Sequence, residues 1–96
     1  MTSKERAYLR AKANSIEAIF QVGKGGITPE LLKQLDNAIE ARELIKISIL
    51  ETAPGSAKEL AEELATGSNS VVIQTVGNKV TLFRQTKKNS KFELPK

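Results

Sequence analysis

The sequence predicts an α/β (α+β) fold in two layers, with a mixed four-stranded sheet and helices mainly on one of its faces. The first supporting observation is that helical and strand-like hydrophobic periodicities follow one another in the order α-β-α-β-α-β-β. The second is the way these elements are joined. Helical connections favour right-handed crossovers, whereas the dipeptide Gly77-Asn78 suits the tight turn of an antiparallel hairpin. We therefore expect both parallel and antiparallel pairing in one sheet.

The size and composition of the chain are those of a single globular domain. It has 96 residues, of which 40% are hydrophobic and 27% charged, as in folded rather than disordered proteins. No apolar run approaches the roughly 18 residues that cross a bilayer, and the polar N-terminus does not resemble a signal peptide. We therefore expect one cytoplasmic domain over residues 1–96 with no membrane partner. Its residues 85–96 should form a basic, flexible tail.

The first helix and strand are predicted before residue 23. Thr2 and Glu5 have the spacing of a capping box, which predicts a helix that runs to about Ala13. Residues 16–22 include several apolar side chains and are expected to form a strand.

A second helix and strand are predicted after the glycine-rich segment. Thr28 is a suitable N-cap and Pro29 suits the first helical position, so the helix should run from Pro29 to about Ala41. Residues 44–50 then change to a period of two. One face of this strand is apolar and the other should contact solvent, the two sets being Ile45, Ile47 and Ile49 against Lys46 and Ser48.

The last helix is predicted to begin after Ser56, which forms a second capping box with Glu59. We expect it to end at Thr66, with Gly67 as its C-terminal cap. Two segments rich in β-forming residues then make up the hairpin, at residues 70–76 and 79–84.

Basic residues are concentrated towards the two ends of the chain. Residues 1–24 contain five basic and two acidic side chains, residues 25–78 four and eight, and residues 79–96 six and one. A fold that brings both ends near the glycine-rich segment would create a basic surface on an otherwise acidic body. Such a surface suits a polyanionic partner, although a basic tail can also serve solubility alone.

The composition argues against most catalytic and metal chemistry. The chain has no cysteine and no histidine, which removes disulfides, thiolate nucleophiles, imidazole bases and the usual zinc ligands. Three carboxylates share the last helix, but without another type of ligand we interpret them as a solvated face. They are Glu59, Glu62 and Glu63. We expect no enzyme activity, no metal and no cofactor.

The segment that favours a ligand is the glycine loop, which consists of Gly23, Lys24, Gly25 and Gly26. Its glycines permit positive φ angles and a close approach of a ligand to the backbone. The loop precedes the helix capped by Thr28, so unpaired N–H groups and the helix dipole would favour an anion, and Lys24 adds a full charge. We expect a phosphate contact here. The alternative is a tight strand-to-helix turn that merely requires glycine.

Familiar nucleotide-binding motifs do not match this loop. Counted from Gly23, a dinucleotide-binding fingerprint would need glycine at Thr28, and a P-loop would need serine or threonine at Gly25. We therefore expect no small-molecule nucleotide substrate. The four aromatic residues of the chain cannot supply the sheet aromatics of an RNA-recognition motif. The Gly-x-x-Gly pattern is instead the one that KH domains use to clamp the backbone of a single strand.

Three blocks of sequence carry a family resemblance. They are Phe20-Gln21-Val22-Gly23-Lys24-Gly25-Gly26, then Ala41-Arg42-Glu43-Leu44-Ile45-Lys46, and then Val76-Gly77-Asn78 followed by Val80-Thr81-Leu82-Phe83-Arg84. Together they resemble the CRM domain (chloroplast RNA splicing and ribosome maturation), and the chain is similar to the stand-alone bacterial YhbY-like proteins of that family. The resemblance covers essentially the whole chain, including the short basic N-terminal helix.

This resemblance implies a fold like that of the C-terminal domain of translation initiation factor three, and a protein that binds RNA. It also implies association with precursors of the large ribosomal subunit, and so a partner that is ribosomal RNA. The Gly-x-x-Gly loop of the family maps onto residues 23–26. The implied basic surface consists of Arg6, Arg10, Lys12 and Lys24, together with Lys46 and Arg84.

Two other classes of function remain open at this point. One is a protein-interaction module that docks an acidic partner on ribosomal particles. The other is a small phosphate-transferring or hydrolytic enzyme that uses the glycine loop, which the lack of a convergent acid–base pair disfavours.

Overall fold

The computed structural model describes residues 2–85 and shows the predicted order of helices and strands. Apart from Gln85, the predicted tail lies outside the described residues. No helix in the described part of the chain is long and apolar enough to cross a membrane. The elements are α1 (Ser3–Ala13), β1 (Phe20–Val22), α2 (Pro29–Arg42), β2 (Leu44–Ile49), α3 (Ala57–Gly67), β3 (Val71–Val76) and β4 (Lys79–Phe83).

The four strands form one mixed sheet in the order β1-β2-β4-β3. β1 runs parallel to β2, whereas β2 and β3 both pair with β4 in the antiparallel sense. The carboxyl ends of β1 and β2 therefore meet the β3–β4 turn, where the N–H of Ile49 donates to the carbonyl of Asn78 at 2.7 Å. We call this edge the loop end of the sheet, because the glycine loop directly follows β1.

The main hydrophobic core lies between the sheet and helices α2 and α3. Both helices begin at their predicted caps: Thr28 Oγ1 accepts from the N–H of Leu31 at 3.1 Å, and Ser56 and Glu59 form both hydrogen bonds of a capping box. The apolar stripe of each helix is buried against the central strands. Fully buried side chains of this core include Leu35, Ile39, Ile45, Ile47, Leu64 and Leu82.

A second, smaller core lies on the opposite face of the sheet, beneath α1. This helix begins with the predicted capping box of Thr2, and its Leu9 and Ala13 are fully buried. The prediction that this face of β2 contacts solvent is wrong, because α1 lies over it: Ser48 is only 8% exposed and Lys46 is half-buried. Two of the three helices thus cover one face, as predicted, and α1 covers part of the other. The sheet residues of the second core are Leu44, Ile73 and Phe83.

Two local predictions also differ from the structure. β1 has only three residues, Phe20–Val22, because the chain after α1 first turns back towards the sheet, with the N–H of Ile16 bonded to the carbonyl of Ala13 at 3.2 Å. Gly67 is not the cap of α3 but its last residue, and the left-handed residue is Asn69, with φ 54°. A Cβ on Gly67 would lie 2.6 Å from Cδ2 of Leu32, so glycine here permits close packing of α3 on α2.

Candidate functional site

The glycine loop forms a tight turn at the loop end of the sheet. The N–H of Gly26 donates to the carbonyl of Gly23 at 2.9 Å, which closes the turn. Among the three glycines, only Gly26 has a left-handed φ, at 68°. The turn therefore requires glycine at position 26 for conformational reasons.

The other two glycines are not required by the backbone in this way. A Cβ on Gly23 would lie 3.5 Å from Cδ1 of Leu50, which is ordinary contact, and a Cβ on Gly25 would meet nothing within 4 Å. Gly25 is exposed, as is the neighbouring Lys24. The loop thus presents bare backbone to solvent at a position where the described fold would accept a side chain.

The start of α2 contributes fewer hydrogen-bond donors than the sequence suggests. Pro29 has no N–H, and the N–H of Leu31 is taken by the capping oxygen of Thr28. The carboxylate of Glu30 also lies in the first turn, where it offsets part of the positive helix dipole. Thr28 is therefore primarily a cap, and the loop amides and Lys24 are the better candidates for holding an anion.

Helix α1 presents exposed cations, and two of them belong to the basic surface predicted from the sequence. Arg10 and Lys12 are exposed, and Nζ of Lys12 lies 5.5 Å from the ring centroid of Tyr8. At an exposed site such a contact contributes only about 0.5–1 kcal/mol, so it holds the Lys12 side chain weakly. Both side chains are free to meet a polyanion on the outer surface of α1.

Arg6, on the same helix, has a different environment. Its Nη1 donates to the carbonyls of Val72 and Ile73, the latter at 3.3 Å. These carbonyls lie where the β3 register shifts, between Val72 and Gln74. Arg6 thus fixes α1 to β3 at the point where the regular pairing of this strand is interrupted.

Lys46 is likewise bonded within the fold. Its Nζ donates to the carbonyl of Ala13 at 2.8 Å and to that of Ile16 at 3.1 Å. A cation at these carbonyls completes the C-terminal end of α1 and favours its dipole. The main contribution of Lys46 to a site is the position that it gives to α1.

Arg84, which directly follows β4, links α2 to the residue that follows α3. Its guanidinium contacts Asp36 at 2.7 Å and Glu40 at 3.2 Å, both on α2, and donates to the carbonyl of Ser68 at 3.0 Å. Its side chain is 19% exposed. Two carboxylates offset its charge, so Arg84 adds little positive potential to the surface.

The cations suggested by the sequence therefore fall into two groups. Lys24, Arg10 and Lys12 are exposed, whereas the charged groups of the other three donate to acceptors in the fold. The second group consists of Arg6, Lys46 and Arg84. Sequence reasoning did not single out Lys79 or Gln21, because only the pairing of both strands with β2 places these two residues on one face of the sheet.

Two carboxylates have a lowered pKa, but helix capping is the cause. The backbone N–H of Thr2 donates to Glu5 at 2.8 Å and that of Ser56 donates to Glu59 at 3.1 Å. These backbone hydrogen bonds are the main reason that the pKa of both carboxyls lies below its ordinary value of 4.5. The side-chain hydrogen bonds of Thr2 and Ser56 are the second cause. Within residues 2–85, no three acidic side chains come together as a metal-binding group.

An apolar groove of about 510 Å³ lies beside the loop, between α2 and α3. Its floor includes Ile27 and Leu32, and Glu62 and Glu63 stand on its α3 side. Carboxylates at this position would repel a phosphate chain. The side of the loop that faces α2 and α3 is therefore less suited to a polyanion than the side that faces α1.

Comparison with known proteins finds relatives along the whole chain. The family model of the CRS1/YhbY (CRM) domain matches residues 1–84. Probable RNA-binding protein YqeI of Bacillus subtilis is 44% identical over 95 residues, which cover 99% of each chain. A longer protein of Methanocaldococcus jannaschii, also named a probable RNA-binding protein, is 36% identical over 86 residues, which cover 88% of this chain and 63% of that one.

A solved structure has the same fold. The solution structure of a Staphylococcus aureus protein, an RNA-binding candidate, matches with a TM-score of 0.83 and 42% identity, covering 99% of each chain. The names of these relatives describe RNA binding, and none of them gives an enzymatic activity. From the match of the family model over residues 1–84 and the identity to YqeI, the chain belongs to the CRS1/YhbY (CRM) domain family.

Proposed function

We propose that this protein binds RNA without catalysing a reaction, and that its glycine loop contacts the phosphate backbone. The observation that carries the proposal is Gly25, an exposed glycine with nothing within 4 Å of where its Cβ would lie. Bare backbone beside the exposed Lys24 suits close approach of a phosphate. Membership of the CRM family supports RNA as the ligand, since relatives are named RNA-binding proteins.

The loop would hold phosphate oxygens through the backbone N–H groups of Lys24 and Gly25 and through the Lys24 ammonium, since the N–H of Gly26 closes the turn. Arg10 and Lys12 on α1 would add further contacts to the backbone. Contacts of this kind supply affinity and register but carry little sequence information. Discrimination among RNAs would therefore depend on shape or on unstacked bases.

The specific RNA that we propose is ribosomal RNA in a precursor of the large subunit, bound in the cytoplasm during ribosome assembly. The resemblance to the YhbY-like proteins supports this choice. Sedimentation of cell extracts tests it, because the protein should travel with large-subunit precursors and leave them on ribonuclease treatment. Association that survives ribonuclease would instead favour a protein-interaction module that docks an acidic partner.

The substitution Gly25→Asp tests the proposed contact between the glycine loop and the RNA backbone. The new side chain fits without a clash and brings a negative charge to the proposed phosphate site, so the Kd for single-stranded RNA should rise at least about tenfold, or about 1.4 kcal/mol. The unfolding free energy should stay within about 0.5 kcal/mol of the original protein. Fluorescence anisotropy with a labelled oligonucleotide and urea unfolding measure the two quantities.

A matched control distinguishes an effect of the added negative charge at position 25 from an effect of the lower net charge of the protein. Asn37→Asp makes the same change of net charge at an exposed position of α2, and should leave the Kd nearly unaltered. If the Gly25→Asp protein binds RNA as well as the original, the glycine loop is only a turn.

A further inference from the structure

The strand register places a row of four residues, three of them polar, across the sheet beside the glycine loop. Gln21 pairs with Ser48, Ser48 with Lys79, and Lys79 with Val76, so one residue of each strand belongs to the row. Directly paired residues point to the same face of a sheet. We call these four residues the loop-end row.

The loop-end row lies on the face that α1 occupies. Side chains alternate along a strand, so Lys79 shares the face of Phe83, which packs in the second core beneath α1. Ser48 likewise shares the face of Lys46, whose ammonium reaches the end of α1. The face is thus apolar beneath the helix and becomes polar towards the glycine loop.

Helix α1 leaves most of this row accessible. Gln21 is exposed, Lys79 is half-buried and Val76 is 60% exposed. Nζ of Lys79 lies 3.3 Å from Oδ1 of Asn78 in the hairpin turn, which is a neutral partner, and no carboxylate within residues 2–85 forms an ion pair with it. From the usual strand spacing of about 4.8 Å, the backbones of Gln21 and Lys79 are roughly 10 Å apart.

The two faces of the molecule differ in charge. α1 carries four basic residues and one acidic residue, and Lys46 and Lys79 add two cations on its side of the sheet. Helices α2 and α3 together carry three basic and six acidic residues. A polyanion that reaches the loop is therefore attracted towards the face covered by α1 and repelled from the face covered by α2 and α3.

We propose that a single RNA strand held by the glycine loop continues over the loop-end row towards α1. Lys79 contacts a phosphate, Gln21 hydrogen-bonds to the ribose or to a base edge, and the exposed Val76 offers an apolar surface to an unstacked base. This path rests on the proposed RNA binding and adds contacts to it on one side of the loop.

The salt dependence of binding tests the role of Lys79. Lys79→Gln keeps most of the aliphatic stem and removes the charge, so the slope of log affinity against log salt should fall by about 0.7 for one lost phosphate contact. Lys58→Gln makes the same change at an exposed position of α3 and should leave the slope unaltered. Lys24→Gln serves as the comparison within the loop.

Photo-crosslinking tests the path independently of charge. A photoreactive amino acid in place of Gln21 should crosslink to a bound oligonucleotide, whereas the same group in place of the exposed Gln34 of α2 should not. The path is overturned if Lys79→Gln leaves the slope unchanged, or if position 34 crosslinks as well as position 21. A protein that binds no RNA, or binds equally well after Gly25→Asp, would overturn the proposed function itself.

Discussion

At the scale of single residues, Gly25 and Gly26 are neighbours, but the fold requires glycine at only one of them. Gly26 has a left-handed φ of 68°, and a Cβ there would lie 3.2 Å from Cγ of Pro54. The space around Gly25 is open. The turn explains glycine at 26, whereas a ligand that approaches the backbone would explain it at 25.

We expect alanine to have opposite consequences at these two positions. Gly26→Ala should lower the free energy of unfolding by about 1–2 kcal/mol, the usual cost of a left-handed non-glycine residue. Gly25→Ala should change it by no more than about 0.5 kcal/mol. Urea denaturation of the two variants measures the difference, and equal losses would show that the turn depends on both glycines.

Arg84 belongs to the basic surface that the family resemblance implies, but its contacts are those of a residue that stabilises the fold. We expect Arg84→Ala to lower the free energy of unfolding by roughly 1–3 kcal/mol, since charge-assisted hydrogen bonds to Asp36 and Ser68 are lost. The salt slope of RNA binding should stay the same. A flattened slope without loss of stability would return Arg84 to the interface.

The residue types of the candidate site could be predicted from the sequence, but not their partners. The glycine loop and the exposed Lys24 follow from local pattern. The acceptors of Lys46 and Arg84 do not, because Ala13 is 33 residues from Lys46 and Asp36 is 48 residues from Arg84. Which cations are free is decided by such distant contacts.

At the scale of elements, α1 and α3 begin with the same device. Each has a hydroxyl N-cap and a glutamate three residues later, and both reciprocal hydrogen bonds form in each helix. Their starts were predictable because all the participants lie within one turn. The end of α3 was not, because Gly67 is explained by Leu32 of another helix.

The capping box of α3 should make part of the stability depend on pH. The pKa of Glu59 is lowered by the hydrogen bond from the Ser56 N–H, so its contribution is complete above the unfolded pKa and is lost as pH falls through the lower folded value. The stability advantage of the original protein over Glu59→Gln should therefore be present near neutral pH and shrink below about pH 4.5.

Thermal unfolding between pH 7 and pH 3 measures this difference. Glu63→Gln removes a carboxylate from the same helix outside the box and serves as the control. An advantage over Glu59→Gln that does not vary with pH would assign the effect of Glu59 to packing or to helix propensity.

At the scale of the whole molecule, the class of fold could be predicted because periodicity and turn chemistry are local. Strand order could not, since β2 and β4 become neighbours only after α3 and β3 have intervened in the chain. Nor could the position of α1, whose thin apolar content gave no indication that Leu9 and Ala13 would close a second core. The separation of charge between the two faces results from that position.

Helix α1 closes the second core and also exposes Arg10 and Lys12 to solvent. Hydrogen bonds from the side chains of Arg6 and Lys46 hold this helix to the sheet. A polyanion that binds these two exposed cations together with the glycine loop binds the docked helix in preference to the undocked one. Binding of the polyanion and docking of α1 onto the sheet are then thermodynamically linked. The amide hydrogens of α1 would gain more protection from exchange on binding than those of α2 or α3, which makes the N-terminal helix an intrinsic reporter of the bound state.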